Sequence, residues 1–145
     1  IQSLSSGTAH ALTPEGFDLA RHAVSPDAKS FIARSDSDRQ WVIFPITGAQ
    51  SRPVPGAVAG DIPLQWTADG RSIYVYQFGT PTSPPAKIFR LDLATGKRVL
   101  VKELMPADRA GFAGFDLAAI TPDGKTIVYS YVSTRENLYL MRDAR

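Results

Sequence analysis

The chain has 145 residues, of which 43% are hydrophobic and 21% charged, and its formal net charge is +2; this composition fits one folded domain and excludes a disordered chain. Its 16 Lys and Arg residues are scattered, so we expect no nucleic-acid surface. The absence of Cys excludes disulfides and thiolate sites, and no apolar stretch approaches the roughly 18 residues of a membrane span, so we expect no direct membrane insertion.

The first predicted elements surround the turn Ser25–Lys29. Residues 1–12 precede them, and Gly7–Leu12 is expected to be an outer strand without a blade of its own. Because the sequence begins at Ile1 without Met or a signal-peptide pattern, we expect it to be a piece of a longer protein. A first unit is predicted over residues 17–56 from β-branched and aromatic runs between turn residues. Its expected strands are Leu19–Val24, Ser30–Arg34, Trp41–Ile46 and Gln50–Val54.

The same pattern is predicted again over residues 61–104. The turn Thr67–Arg71 places Asp69 42 residues after Asp27. Both alternating faces of the segment after this turn are largely apolar, which is typical of a sheet packed between two other sheets. The expected strands are Ile62–Trp66, Ser72–Phe78, Lys87–Asp92 and Arg98–Leu104.

A third unit is predicted over residues 112–145, and its turn Thr121–Lys125 places Asp123 54 residues after Asp69. It lacks a fourth strand. The three that we expect are Phe115–Ile120, Thr126–Tyr131 and Asn137–Met141.

Repeats of roughly 40 to 50 residues made of short strands and polar turns are the signature of propeller blades. We therefore predict an all-β fold and a partial β-propeller over residues 1–145, with about three four-stranded antiparallel blades that form half of a six-bladed propeller. In the turns, each Asp is expected to accept backbone N–H bonds and each Gly to supply a tight conformation. These structural turn residues are Asp27, Asp69, Gly70, Asp123 and Gly124.

The motif Ser-Pro-Asp-Gly-Lys between two strands resembles the TolB-like, or PD40, β-propeller repeat. The three turns carry this resemblance, which covers nearly the whole chain. The first copy departs from the family pattern at Ala28, where the family has Gly, so this turn is expected to avoid a positive φ.

A narrower resemblance rests on Phe89–Gly96, Lys102–Gly111 and the aromatic pattern of Tyr129–Tyr131 and Leu138–Leu140. These segments resemble the C-terminal region of bacterial proteins that have an N-terminal serine/threonine kinase domain, often followed by a membrane segment and then a PD40 propeller. The resemblance implies a regulatory region in an extracytoplasmic sensor position. This chain contains no glycine-rich loop, His-Arg-Asp or Asp-Phe-Gly motif, so any kinase domain lies upstream.

No residue set predicts catalysis, cofactor binding or metal binding. His10 and His22 lie on different predicted strands without a third ligand. Ser35–Asp38 spaces two carboxylates but lacks the glycine and distal Glu of a calcium loop. No Gly-x-Ser-x-Gly elbow is present. We therefore expect that the chain is not an enzyme.

Binding residues are expected instead on the first strand of each blade, which lines the channel of a propeller. The candidates are Arg21, Gln65 and Asp116, with Pro63 and Ala118 as further positions, and a one-residue change of register exchanges the set. Five aromatic residues are expected to form inter-blade core rather than a ligand pocket, with Trp66 as a wedge between blades. They are Trp41, Trp66, Tyr74, Tyr76 and Phe78.

These features predict a non-catalytic propeller that senses a ligand or binds a protein, as the C-terminal regulatory region of a bacterial serine/threonine kinase. Two alternatives stay open: an accessory domain that gates a prolyl-oligopeptidase-like hydrolase, and a TolB-like envelope scaffold. Since three blades cannot close a ring, we also expect a homodimer of half-propellers that exchange Gly7–Leu12, unless preceding blades complete the ring.

Overall fold

A computed structural model describes residues 7, 9–79, 82, 85–137 and 139. Their regular structure consists of strands, and the described part of the chain has no helix that could cross a membrane. The ten strands are β1 (Phe17–Val24), β2 (Ser30–Ser35), β3 (Trp41–Pro45), β4 (Arg52–Pro53), β5 (Ile62–Trp66), β6 (Ser72–Gln77), β7 (Ala86–Asp92), β8 (Arg98–Leu104), β9 (Phe112–Ile120) and β10 (Ile127–Ser133).

The strands form three antiparallel sheets in chain order, which confirms the predicted all-β fold. Strands β1 to β4 form the first sheet, β5 to β8 the second, and β9 pairs with β10. We call these sheets blades 1, 2 and 3. The fourth strand of blade 1 is only Arg52–Pro53, because proline has no N–H to extend the ladder.

Two predicted strands are not found in the described residues. Three of the five residues of Asn137–Met141 lie outside the described part of the chain, and the other two, Asn137 and Tyr139, are not in a strand. Within Gly7–Leu12 the described residues form no strand, and Ala9 makes a single β-bridge. Leu12 is half-buried and packs against the core of blade 1.

The core lies between the blades. One apolar cluster joins blade 1 to blade 2 and a second joins blade 2 to blade 3. Strand β6 contributes to both, because successive side chains of a strand point to opposite faces. Ile73 and Val75 belong to the first cluster, and Tyr74 and Tyr76 to the second. The prediction that both faces of this segment are buried is confirmed.

The first strands of the three blades are neighbours in space, with β5 between β1 and β9. Each of them has a register shift in its pairing with the second strand of its blade. Such bulges bend a strand and increase its twist. The blades therefore radiate from these inner strands, and the turns after them lie on one rim.

Candidate functional site

The turn after each inner strand has the same hydrogen bonds in all three blades. In blade 2, Asp69 Oδ1 accepts from Thr67 Oγ1 at 2.6 Å and from the backbone N of Arg71 at 3.0 Å. The equivalent bonds to Asp27 are 2.7 and 3.0 Å, and those to Asp123 are 2.5 and 3.1 Å. The side-chain hydroxyl and then the backbone N–H lower the pKa of each carboxyl, so these groups are ionised at neutral pH.

The first turn has a positive φ, which contradicts the expectation for Ala28. The φ of Ala28 is 55°, close to the values of 68° for Gly70 and 72° for Gly124. The reason is the hairpin: a tight turn followed by one residue in the left-handed region directs the chain back to pair with the first strand, where Ser25 N donates to Ser30 O at 2.8 Å. The backbone N of Ala28 donates to Ser25 O at 2.9 Å, as that of Gly70 does to Thr67 O at 2.9 Å.

The turns of neighbouring blades touch and form a continuous rim. The backbone N of Ala68 in the second turn donates to Pro122 O in the third turn at 3.1 Å. Pro26 occupies the position of Ala68 in the first turn and has no N–H, so it cannot make the corresponding bond to the second turn. The rim between blades 1 and 2 therefore lacks this backbone bond.

A groove of about 860 Å³ opens at this place between blades 1 and 2. Ile43 and Trp66 contribute apolar surface to its lining. Arg52 Nη1 crosses between the blades and donates to Leu93 O at 3.3 Å. The charged lining residues are Asp27, Asp69, Asp92, Arg52 and Arg71. The groove thus combines apolar surface with charges of both signs.

A buried polar cluster around Asp61, which the sequence analysis missed, lies within blade 2 and contacts blade 1 through Trp41. The side chain of Asp61 is fully buried and binds Arg98 through two bonds of 2.6 and 3.1 Å. Asp61 also accepts from Gln77 Nε2 at 3.0 Å and from the backbone N of Val58 at 2.9 Å, and its backbone O accepts from Trp41 Nε1 at 2.6 Å. Its one sequence signal is an acidic residue directly before a predicted strand.

Bulges break the alternation from which the channel-lining candidates were chosen. In β1 the register shifts between Leu19 and Val24, and His22 has a φ of 49°. In β5 the register shifts between Pro63 and Gln65. Side chains on these strands therefore do not follow a strict two-residue period.

The three candidates differ in exposure. Arg21 and Asp116 are exposed, whereas Gln65 is half-buried. Asp116 Oδ2 accepts from Ser130 Oγ at 3.3 Å. Of the further positions, Pro63 is buried and Ala118 half-buried. All five lie on the neighbouring inner strands, and their role as channel-lining residues stays a prediction.

The aromatic candidates divide between core and surface. Trp66 is 4% exposed, packs in the cluster between blades 1 and 2, and donates from Nε1 to Ala23 O at 3.0 Å. It thus lies between the blades, as predicted. Tyr74 and Tyr76 are buried in the second cluster. Trp41 is half-buried, and Phe78 is exposed with its ring centroid 4.8 Å from that of Tyr76.

No group of three or more His, Asp or Glu side chains that could hold a metal ion is found within the described ranges. The carboxylate of Asp38, one of the two considered for calcium, accepts from the backbone N of Gln40 at 3.1 Å. Hydrogen bonds from Ser35 and then from this N–H lower the pKa of Asp38. The bond to Gln40 gives this carboxylate a local turn partner.

Neither family models nor curated proteins match this chain. Among solved structures it is similar to TolB from Acinetobacter baumannii, with 19% sequence identity and a TM-score of 0.55. The likeness covers 90% of this chain but 36% of TolB. The predicted TolB-like propeller is therefore confirmed at the level of the fold: the chain consists of β-propeller blades and spans about a third of the length of that protein.

Proposed function

We propose that this chain is a non-catalytic β-propeller module that binds a protein segment in the groove between blades 1 and 2. The observation that carries the proposal is the groove itself, which lies on the turn rim where Pro26 removes a contact between blades. Its walls belong to fixed turns, so binding would require little ordering of the protein.

The carboxylates in this groove are suited to binding rather than to acid–base chemistry. Asp27 and Asp69 each use Oδ1 for two turn hydrogen bonds, and their pKa values are lowered, not raised toward neutrality. A general acid or base works best with a pKa near the working pH. The charged groove would thus orient a ligand with complementary charges.

The finer proposal is that the module regulates a bacterial serine/threonine kinase from an extracytoplasmic position. It rests on the resemblance of Phe89–Gly96 and Lys102–Gly111 to the propeller region of such proteins. A TolB-like envelope scaffold is the second candidate, favoured by the fold of the structural neighbour. The gene sequence upstream separates them: kinase motifs support the first, whereas an envelope signal or a hydrolase domain contradicts it.

The binding proposal can be tested by selecting peptides from a displayed random library against the purified 145-residue chain. The variant Ala68→Trp fills the groove at an exposed position of the second turn. The matched control Ala107→Trp adds the same ring at an exposed position outside the groove. Selected peptides should bind the wild type and the control with equal affinity and bind Ala68→Trp at least tenfold more weakly.

Equal binding to both variants would show that the groove is not the site. The non-catalytic part is tested separately by incubation with peptide, ester and nucleotide substrates. Turnover that is abolished by replacing a single Ser, His or Asp would contradict it.

A further inference from the structure

Strand β8 forms the outer edge of blade 2, in the interior of the chain. It is the last strand of its sheet, and among the described strands it pairs with β7 alone. The outer strand of blade 1 is only Arg52–Pro53, and proline blunts that edge. In contrast, β8 extends over the seven residues Arg98–Leu104 without a proline. Blade 2 therefore has a longer free strand edge than blade 1.

The alternation of the ladder shows which backbone groups of β8 point outward. The backbone N of Asp92 donates to Lys97 O at 3.0 Å, so these two residues form a hydrogen-bonded pair. Hydrogen-bonded and non-hydrogen-bonded pairs alternate in an antiparallel ladder, so Arg90 and Val99 form the next hydrogen-bonded pair. The following residue, Leu100, is then in a non-hydrogen-bonded pair. Its N–H and C=O therefore point away from β7, toward the open edge.

The side chains at this edge are apolar and exposed. Leu100 is 48% exposed and Val101 is 36% exposed. On β7, Ile88 pairs with Lys102 and Phe89 with Leu100, so Val101 is an extra residue on β8 without a partner on β7. An edge with free backbone groups and apolar side chains can accept an additional strand.

Positive charge surrounds the edge. The hairpin of β7 and β8, residues 86–104, has five cationic and two acidic residues. Two of the cations are in ion pairs, with Glu103 and with Asp61. The other three, which form no ion pair within the described part of the chain, are Arg90, Lys97 and Lys102.

This charge selects the kind of strand that the edge can accept. Lysine on an edge strand opposes pairing with strands of like charge. Two copies of the hairpin have the same excess of positive charge and repel each other, whereas an acidic strand is attracted. Charge complementarity therefore favours an acidic segment of another protein over a second copy of this chain.

We propose that β8 binds an extended acidic segment of a partner protein as a fifth strand of blade 2. The backbone N–H and C=O of Leu100 would bond to the backbone of the segment, and Lys97 and Lys102 would attract its carboxylates. The proposal is independent of the proposed function, because no residue of β8 lines the groove between blades 1 and 2.

The test uses a labelled peptide, acetyl-Val-Glu-Val-Glu-Val-Glu-Val-amide, titrated with the 145-residue chain. Fluorescence anisotropy should show binding, and the same peptide with Lys in place of Glu should bind at least about tenfold more weakly. The double variant Lys97→Glu/Lys102→Glu should bind the acidic peptide more weakly and the Lys peptide more tightly. The control Lys29→Glu/Lys125→Glu makes the same charge change at exposed turn positions and should keep the wild-type preference.

The backbone contact is tested at Leu100. Leu100→Pro removes the outward N–H but no bond to β7, and it should weaken peptide binding by at least about tenfold. Leu100→Ala keeps the N–H and should weaken binding less. In the wild type, the peptide should slow amide hydrogen exchange at Leu100 but change it little at Val99, whose N–H is already bonded to β7.

Equal binding of the acidic and Lys peptides overturns the proposal, as does unchanged exchange at Leu100. Binding that is lost in Ala68→Trp but kept in Lys97→Glu/Lys102→Glu would place the peptide in the groove; this overturns the proposal without contradicting the proposed function. A wild-type dimer in light scattering that Leu100→Pro dissociates would show that a second copy occupies the edge instead. Circular dichroism of every variant ensures that weaker binding does not reflect unfolding.

Discussion

Ala28 has a backbone conformation that an L side chain adopts at a cost. At its φ of 55° the β-carbon crowds the following carbonyl, by roughly 1 to 2 kcal/mol. Replacement by Gly removes this strain but adds freedom to the unfolded chain, which offsets part of the gain. We predict that Ala28→Gly stabilises the protein by about 0.5 to 1 kcal/mol. Urea denaturation should show a higher midpoint with an unchanged slope.

The matched control is Ala94→Gly, at an exposed turn position without a positive φ. It should lower the midpoint, because glycine there gains only unfolded-state freedom. If both substitutions lower it, the strain at Ala28 is smaller than the entropy that glycine adds.

Tyr76 makes the stability of the apolar cluster between blades 2 and 3 depend on pH in the alkaline range. Burial and then the charge of Asp116 raise the pKa of Tyr76 to about 12 from its ordinary value of 10.0. The neutral phenol is therefore favoured in the folded state. Its contribution is complete below the unfolded pKa and is lost as the pH rises through the folded pKa.

We predict that the wild type loses stability between about pH 10 and 12, and that Tyr76→Phe loses less over this range. Because the hydroxyl has no hydrogen-bond partner among the described residues, the substitution should change stability little at pH 7. Urea midpoints at several pH values measure both. An identical pH profile for the two proteins would contradict the assignment.

At the scale of the structural elements, two equivalent turns differ in the space around their glycine. Gly70 and Gly124 have φ values of 68° and 72°, so Ala is strained at both. A β-carbon on Gly70 would lie 3.8 Å from Pro26 Cδ, an ordinary contact, whereas one on Gly124 would collide with the hydroxyl of buried Tyr74.

We predict that Gly70→Ala destabilises by about 1 kcal/mol and Gly124→Ala by a further 1 to 3 kcal/mol. Chemical denaturation of both variants gives the difference. The double variant Gly124→Ala/Tyr74→Phe should recover most of the additional loss. A failure to recover it would show that the collision is relieved by backbone movement instead.

Within blade 2, the buried Asp61–Arg98 pair ties the residue before β5 to the start of β8. Asp61→Ala would leave Arg98 without its carboxylate and Gln77 without its acceptor. Breaking a buried pair in this way typically costs about 3 to 5 kcal/mol, and we expect the lower value because Arg98 is 22% exposed.

The exposed pair Asp18–Arg34, at 3.4 Å, is the matched control. Asp18→Ala should cost less than about 1 kcal/mol, since surface ion pairs contribute little. Thermal or urea denaturation compares the two variants. Equal losses would show that the buried Asp61–Arg98 pair contributes no more to stability than the exposed pair.

At the scale of the whole molecule, the shared clusters predict that the blades unfold together. Trp66→Phe would remove the donor to Ala23 O and should cost about 1 to 3 kcal/mol. It also leaves Trp41 of blade 1 as the single tryptophan, since the chain has two.

In this variant, Trp41 fluorescence and far-UV circular dichroism should give the same urea midpoint, because blade 1 has no core separate from blade 2. A fluorescence transition at clearly lower urea than the dichroism transition would show that blade 1 unfolds by itself.

The sequence by itself determined the strands and turns of the blades, because these depend on local patterns. The alternation of Ile73 to Phe78 predicted a strand buried on both faces, and the spacing of the turn motif predicted the blades. The prediction from local residue preferences was wrong at Ala28. There the geometry that pairs β2 with β1 after the turn outweighed the preference of alanine for a negative φ.

The tertiary structure alone decided which residues far apart in the chain come into contact. Nothing local in the sequence joins Asp61 to Arg98, which lie 37 residues apart, or places a groove where Pro26 removes a rim bond. The bulges of β1 and β5 likewise break the strict two-residue period from which the channel-lining candidates were chosen. Strand patterns follow from near neighbours, whereas inter-blade sites depend on how separate sheets pack, which one sequence does not encode locally.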